Sequence, residues 1–70
     1  MTGIYNVIEL IGTSEHSWEQ ATQNAVAEAA KTLRDLRVAE VVEQDVVVED
    51  GSVASYHTKI RLSFKHESDD

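Results

Sequence analysis

Three carboxylates in this chain can be brought to one point by simple geometry, and three carboxylates are the start of a cation site. Glu43 and Asp45 are two residues apart, so an extended strand puts both on one face. Glu19 belongs to Ser17-Trp18-Glu19-Gln20, a capping box that opens a helix: the Ser17 hydroxyl accepts from the Gln20 amide while the Gln20 side chain reaches back. A helix back from Leu36 to Ser17 spans roughly 28 Å, and a strand from Arg37 to Asp45 roughly 26 Å. Both start at one tight connection, so the helix N-terminus and the Glu43–Asp45 segment are expected level with each other. Glu43 and Asp45 are expected on the helix side of the sheet. With loop carbonyls from Gly12 to Ser14 added, the trio offers the hard oxygen set that calcium takes. The same residues have a plainer reading. An acid in a first helical turn is favoured by the macrodipole alone, and Glu43 and Asp45 can form a solvated end of the hairpin. Asp45-Val46-Val47-Val48-Glu49-Asp50-Gly51 lacks the alternating oxygens of an EF-hand loop.

Other chemistry is thin. His57 is expected on the face away from the helix, opposite Gln44, either lining a cavity between subunits or serving as an ordinary polar interface residue. His16 lies in the loop before the cap, too far along the chain from His57 to suggest a zinc site. There is no cysteine, no glycine-rich phosphate loop and no nucleophile elbow, and Ser14 and His16 have no orienting acid beside them. No enzyme is expected.

Size and charge narrow the classes further. Seventy residues lie near the lower limit for one stable core, where oligomerisation or staples usually help. Without cysteine, disulfides are excluded. Thirteen Asp and Glu against six Lys and Arg give a formal charge of −7, with the cations spread singly along the chain. Such a balance disfavours nucleic acid, whose affinity rests on neutralised phosphates, and it raises the value of bound cations if copies assemble. No apolar run approaches the roughly 20 residues of a membrane span, and no secretory signal pattern is present. A single domain over residues 1–70 is expected, cytoplasmic, with a polar tail over 66–70.

The elements that must position these residues read as β-α-β-β. Ile4 to Ile11 is rich in β-branched residues and is followed by the Gly12-Thr13-Ser14 break. The helix is expected from Ser17 to about Leu36, its alanines favouring it. Trp18, Ala21, Ala25, Ala29, Leu33 and Leu36 follow the spacing of one buried stripe. A hairpin from Arg37 to Phe64 turns at Asp50-Gly51, the dipeptide that suits a two-residue type I′ loop. Pairing outward from the turn puts Ala39, Val41, Tyr56, Ile60, Leu62 and Phe64 on one face. It puts Val38, Val42, Val46, Val48 and Val53 on the other, and sets Glu40 opposite Arg61 as a cross-strand ion pair. One helix covers one face, so a second copy of the chain is the expected cover for the other. Strand one is expected to pair antiparallel with strand three, giving an α+β fold: a three-stranded antiparallel sheet curled around one helix.

Ile8-Glu9-Leu10-Ile11-Gly12-Thr13-Ser14, the alanine-rich helix, Lys31-Thr32-Leu33-Arg34, Glu40-Val41 and the closing Ser63-Phe64 together resemble a dodecin over about residues 4 to 65. The resemblance implies a hollow homododecameric shell that binds or stores small ligands. Most dodecins sandwich flavins between tryptophans of the second strand and hydrogen-bond them through a glutamine of the third. Here Val38 stands at the tryptophan position and His57 at the glutamine position, with Gln44 beside them, and an aliphatic side chain has no π-face on which a flavin can stack. Flavin stacking is therefore expected to be lost. Ser17–Ala21 and Arg37–Asp45 resemble the tryptophan-less calcium dodecins, which implies calcium as the bound ion. A flavin (FMN or riboflavin) in a modified pocket, or a purely structural module, is the alternative.

Overall fold

The computed structural model describes residues 4–65. The expected polar tail over 66–70 lies outside them. Strand β1 covers Tyr5–Ser14, helix α1 Trp18–Ala30, strand β2 Leu36–Glu49 and strand β3 Ser52–Lys65. The sheet order is β1-β3-β2 with both pairings antiparallel. This is the expected α+β architecture, with β3 in the middle and β1 and β2 as free edges.

Local chemistry explains the boundaries. The Ser17 hydroxyl accepts from the Gln20 amide at 2.9 Å and starts α1. The helix is shorter than expected, ending at Ala30 rather than near Leu36. The Ala29 carbonyl there accepts from both Thr32 and Leu33, which tightens the last turn. Asp35 then takes a left-handed φ of +57° and redirects the chain into β2. Leu33 and Leu36 still reach the core from outside the helix. At the hairpin turn Asp50 (φ +51°) and Gly51 (φ +77°) both have positive φ, as a type I′ loop requires.

The core is small-on-large. Ala21, Ala25 and Ala29 present a flat stripe to the sheet, where Ile60 and Leu62 are fully buried. Their burial contributes about 1.5–3 kcal/mol each. Close approach depends on Gly12: a Cβ there would lie 2.0 Å from the Ala21 carbonyl oxygen. Gly12 to Ser14 therefore does not break the strand; it forms the end of β1, opposite Thr58, His57 and Tyr56.

Three single-residue bulges interrupt the β2–β3 ladder, with Arg37 and Val42 extra on β2 and Ala54 extra on β3. The bulge at Val42 resets the alternation. Before it, Ala39 and Val41 face the helix opposite Leu62 and Ile60; after it, Gln44 and Val46 do so, opposite Thr58 and Tyr56. Val46 thus shares the helix side with Tyr56, contrary to the face expected from unbroken pairing. Beyond Val46 the sheet has only two strands, because β1 stops at Ser14 opposite Tyr56. The described residues measure 55 × 20 × 13 Å, and the 14-residue strands of the β2–β3 hairpin, roughly 45 Å each, account for most of the long dimension.

Candidate functional site

Two surfaces carry the candidate residues, one on each side of the sheet. On the face away from the helix, β3 presents His57, Lys59, Arg61 and Lys65, alternating with buried Thr58, Ile60 and Leu62. Half of the six Lys and Arg are therefore gathered on one strand face, where the sequence suggested single scattered cations. The signal was the alternation itself, which needs the register before it reads as a row. Flanking acids compensate it. The Arg61 guanidinium bridges Glu9 of β1 (Nη2–Oε2 3.1 Å) and Glu40 of β2 (Nη1–Oε1 3.4 Å), which realises the expected Glu40–Arg61 pair. Lys59 Nζ lies 3.8 Å from Glu9 Oε1. These pairs are exposed enough to contribute at most about 1 kcal/mol each.

Glu43 and Asp45 belong to this outer face, opposite Lys59 and His57. The Val42 bulge moves them there, so the expected placement on the helix side is corrected. His57 pairs with Asp45 rather than Gln44, and its Nδ1 lies 3.3 Å from Asp45 Oδ1. Val38 shares the face, 60% exposed opposite Ser63. Ser63 and His57 are six positions apart on β3, roughly 20 Å of strand. Within one chain, Val38 and His57 therefore do not meet.

The second surface is a groove of about 470 Å³ between the first half of α1 and β2, lined by Trp18, Glu19, Gln23, Val26, Val41 and Gln44. The helix leaves Val41 48% exposed here. Trp18 is fixed on three sides: its Nε1 donates to the Asp45 carbonyl at 3.1 Å, its ring meets Tyr56 edge-on at 5.2 Å, and its own carbonyl accepts from Thr22 and Thr58 hydroxyls. The indole contact bears out the expected level alignment of the helix N-terminus with Asp45, although the Asp45 side chain points the other way. Sequence reasoning placed Trp18 at the helix start but did not foresee the groove, which exists because α1 lies over β1 and β3 more than over β2.

The expected calcium trio is thus divided: Glu19 lines the groove, while Glu43 and Asp45 lie across the sheet. The Thr13 carbonyl, one of the anticipated oxygen donors, accepts from Asn24 Nδ2 at 2.9 Å. Among the described residues no group of three or more His, Asp or Glu gathers closely enough to hold a metal.

The Dodecin family model matches residues 4–67. The chain belongs to the dodecin family. This dodecin is 47% identical over 62 residues to the calcium dodecin of Mycobacterium tuberculosis, covering 89% of this chain and 87% of that one. It is 39% identical over 67 residues to the dodecin of Thermus thermophilus, covering 96% and 97%. The crystal structure of the M. tuberculosis protein, described as a calcium chelating antigen with a novel calcium-binding site, superposes with a TM-score of 0.82 at 44% identity, covering 96% of each chain. The dodecin from Streptomyces davaonensis superposes with a TM-score of 0.92 at 29% identity, covering 97% and 100%. Sequence likeness is greater to the calcium dodecin of this set and backbone likeness to the Streptomyces protein. Among the described residues no helix is long and apolar enough to cross a membrane.

Proposed function

We propose that this dodecin is a non-enzymatic binding and storage protein that assembles as a homododecameric shell and takes up calcium rather than flavin. The observation that carries the reading is the 47% identity to a protein named calcium dodecin. Val38, an exposed aliphatic side chain at the position that resembles the stacking tryptophan, supports the loss of flavin. The two-stranded arm supports assembly. An isolated two-stranded hairpin is marginal in water, and Val48 and Val53 near its tip are 60% and 50% exposed.

One chain does not by itself fit a calcium ion, which takes six to eight oxygens. Glu43 and Asp45 present two carboxylates to the same side, and Glu19 is separated from them by the sheet. The remaining oxygens then come from a second chain, which makes ion binding and assembly one event. The test is calorimetric melting of metal-stripped protein with millimolar calcium, magnesium or FMN, on samples sized by light scattering. A calcium-selective rise in Tm, abolished by Asp45→Asn or Glu43→Gln, is expected through mass-action linkage. A rise with FMN alone would replace this reading with a flavin-binding dodecin that uses a modified pocket. No rise with any of them would leave a structural module.

A further inference from the structure

The groove beside Trp18 has no part in that reading, and its chemistry is specific. It has an aromatic wall, two aliphatic side chains, two glutamines, one carboxylate and Thr22, whose hydroxyl already donates to the Trp18 carbonyl, with no Lys, Arg or His among the lining residues. Its volume of about 470 Å³ lies within the range of small-molecule sites. Trp18 is already held by the Asp45 carbonyl and by Tyr56, so stacking on it does not require the indole to be ordered first. Val26 and Val41 supply the apolar surface that a flat ring needs.

The polar groups decide which ring. Ionised Glu19 is acceptor-only and is best satisfied by two adjacent N–H donors, whereas each glutamine amide offers both a donor and an acceptor. A ring edge that runs N–H, N–H, C=O matches one carboxylate beside one amide N–H. That edge is the 2-amino-4-oxopyrimidine system of guanine and pterin. The flavin edge, C=O, N–H, C=O, would set carbonyl oxygens against the carboxylate. The missing cations also argue against holding a phosphate.

We infer that the Trp18 groove binds an uncharged guanine- or pterin-type ring, stacked on the indole, with Glu19 reading the ring N–H and 2-amino group and Gln23 or Gln44 reading the carbonyl. The inference is independent of calcium and uses the opposite side of the sheet. Trp18 is the only tryptophan, so its fluorescence reports occupancy directly. Assembled protein is titrated with guanosine, inosine, adenosine, GMP and riboflavin, and with pterin by equilibrium dialysis. Guanosine is expected to bind about tenfold or more tighter than inosine, which lacks the 2-amino group, on the scale of one hydrogen bond to a charged acceptor. GMP gains nothing over guanosine. Tight pterin binding with weak guanosine binding would assign the site to the pterin source, and the reverse to the nucleoside. Glu19→Gln removes the guanosine-over-inosine preference, while Lys31→Gln, an exposed control at the C-terminal cap of α1, keeps it. Equal affinity for inosine and guanosine, a preference that survives Glu19→Gln, or Trp18 sealed from acrylamide and unaffected by every ring would overturn the assignment. Circular dichroism of Glu19→Gln separates lost recognition from lost fold.

Discussion

The body of this dodecin and its arm are made from one continuous hairpin, yet they are stabilised in different ways. In the body, β1, β3 and β2 lie side by side under α1, and Ile60 and Leu62 are sealed by the alanine stripe. In the arm, beyond Val46 and Tyr56, the same two strands run on without β1, and Val48 and Val53 lie open. The hydrophobic effect is proportional to apolar area removed from water, so the body gains its stability within one chain. The arm has no such cover within the described residues, and in the proposed assembly a second copy supplies it. Sequence pattern alone does not separate the two, because valine-rich strands read alike whether a chain covers its own side chains or leaves them for another copy.

The sharpest ways to test this contrast begin in the body. Ile60→Ala is expected to lower stability by about 2–5 kcal/mol through cavity formation, read as Tm by calorimetry. Gly12→Ala is expected to cost about 3 kcal/mol, at the upper end of overpacking, because the added methyl meets backbone of α1 that has no rotamer to give way. If Gly12→Ala melts like the parent, the close helix–sheet contact is wrong. In the arm, Val48→Asp with Val53→Asp should leave circular dichroism of the body intact and collapse the particle mass on light scattering. An unchanged mass would mean that the arm is not an assembly element.

Smaller effects probe the junction and the outer face. Trp18→Phe removes the indole bond to the Asp45 carbonyl and is expected to cost about 1 kcal/mol. Amide exchange should quicken on both sides of Asp45 and Tyr56, since the arm loses its anchor to α1. Arg61→Met breaks the Glu9–Arg61–Glu40 bridge and should shift stability by less than about 1 kcal/mol. Any loss should fade in molar salt as the exposed charges are screened.

Much of the body was legible from residue types. The Ser17 cap, the alanine stripe, the Asp50-Gly51 turn and the pairing of β1 with β3 all follow from local chemistry and hydrophobic period. The helix end was not, because Lys31-Thr32-Leu33-Arg34 has adequate helix propensity and only the left-handed turn at Asp35 shows where the chain leaves. The site was harder. Glu43 and Asp45 share a face, as two-residue spacing demands, but which face depends on one extra residue at Val42 that nothing in the local composition marks. That one shift moved Gln44 to the groove and His57 to Asp45, and it divided the candidate ligands between two sides of the sheet.

The extra residue at Val42 also sets how this protein tolerates change in length. Removing Val42 would leave Val41 opposite Ile60 and Glu43 opposite Lys59, the partners each has now. Every side chain beyond would keep its side of the sheet. What would alter is the added twist that a bulge gives its strand, and with it the bearing of the arm. For an evolving gene, a codon lost at this position re-aims the arm while leaving both faces of the sheet as they are.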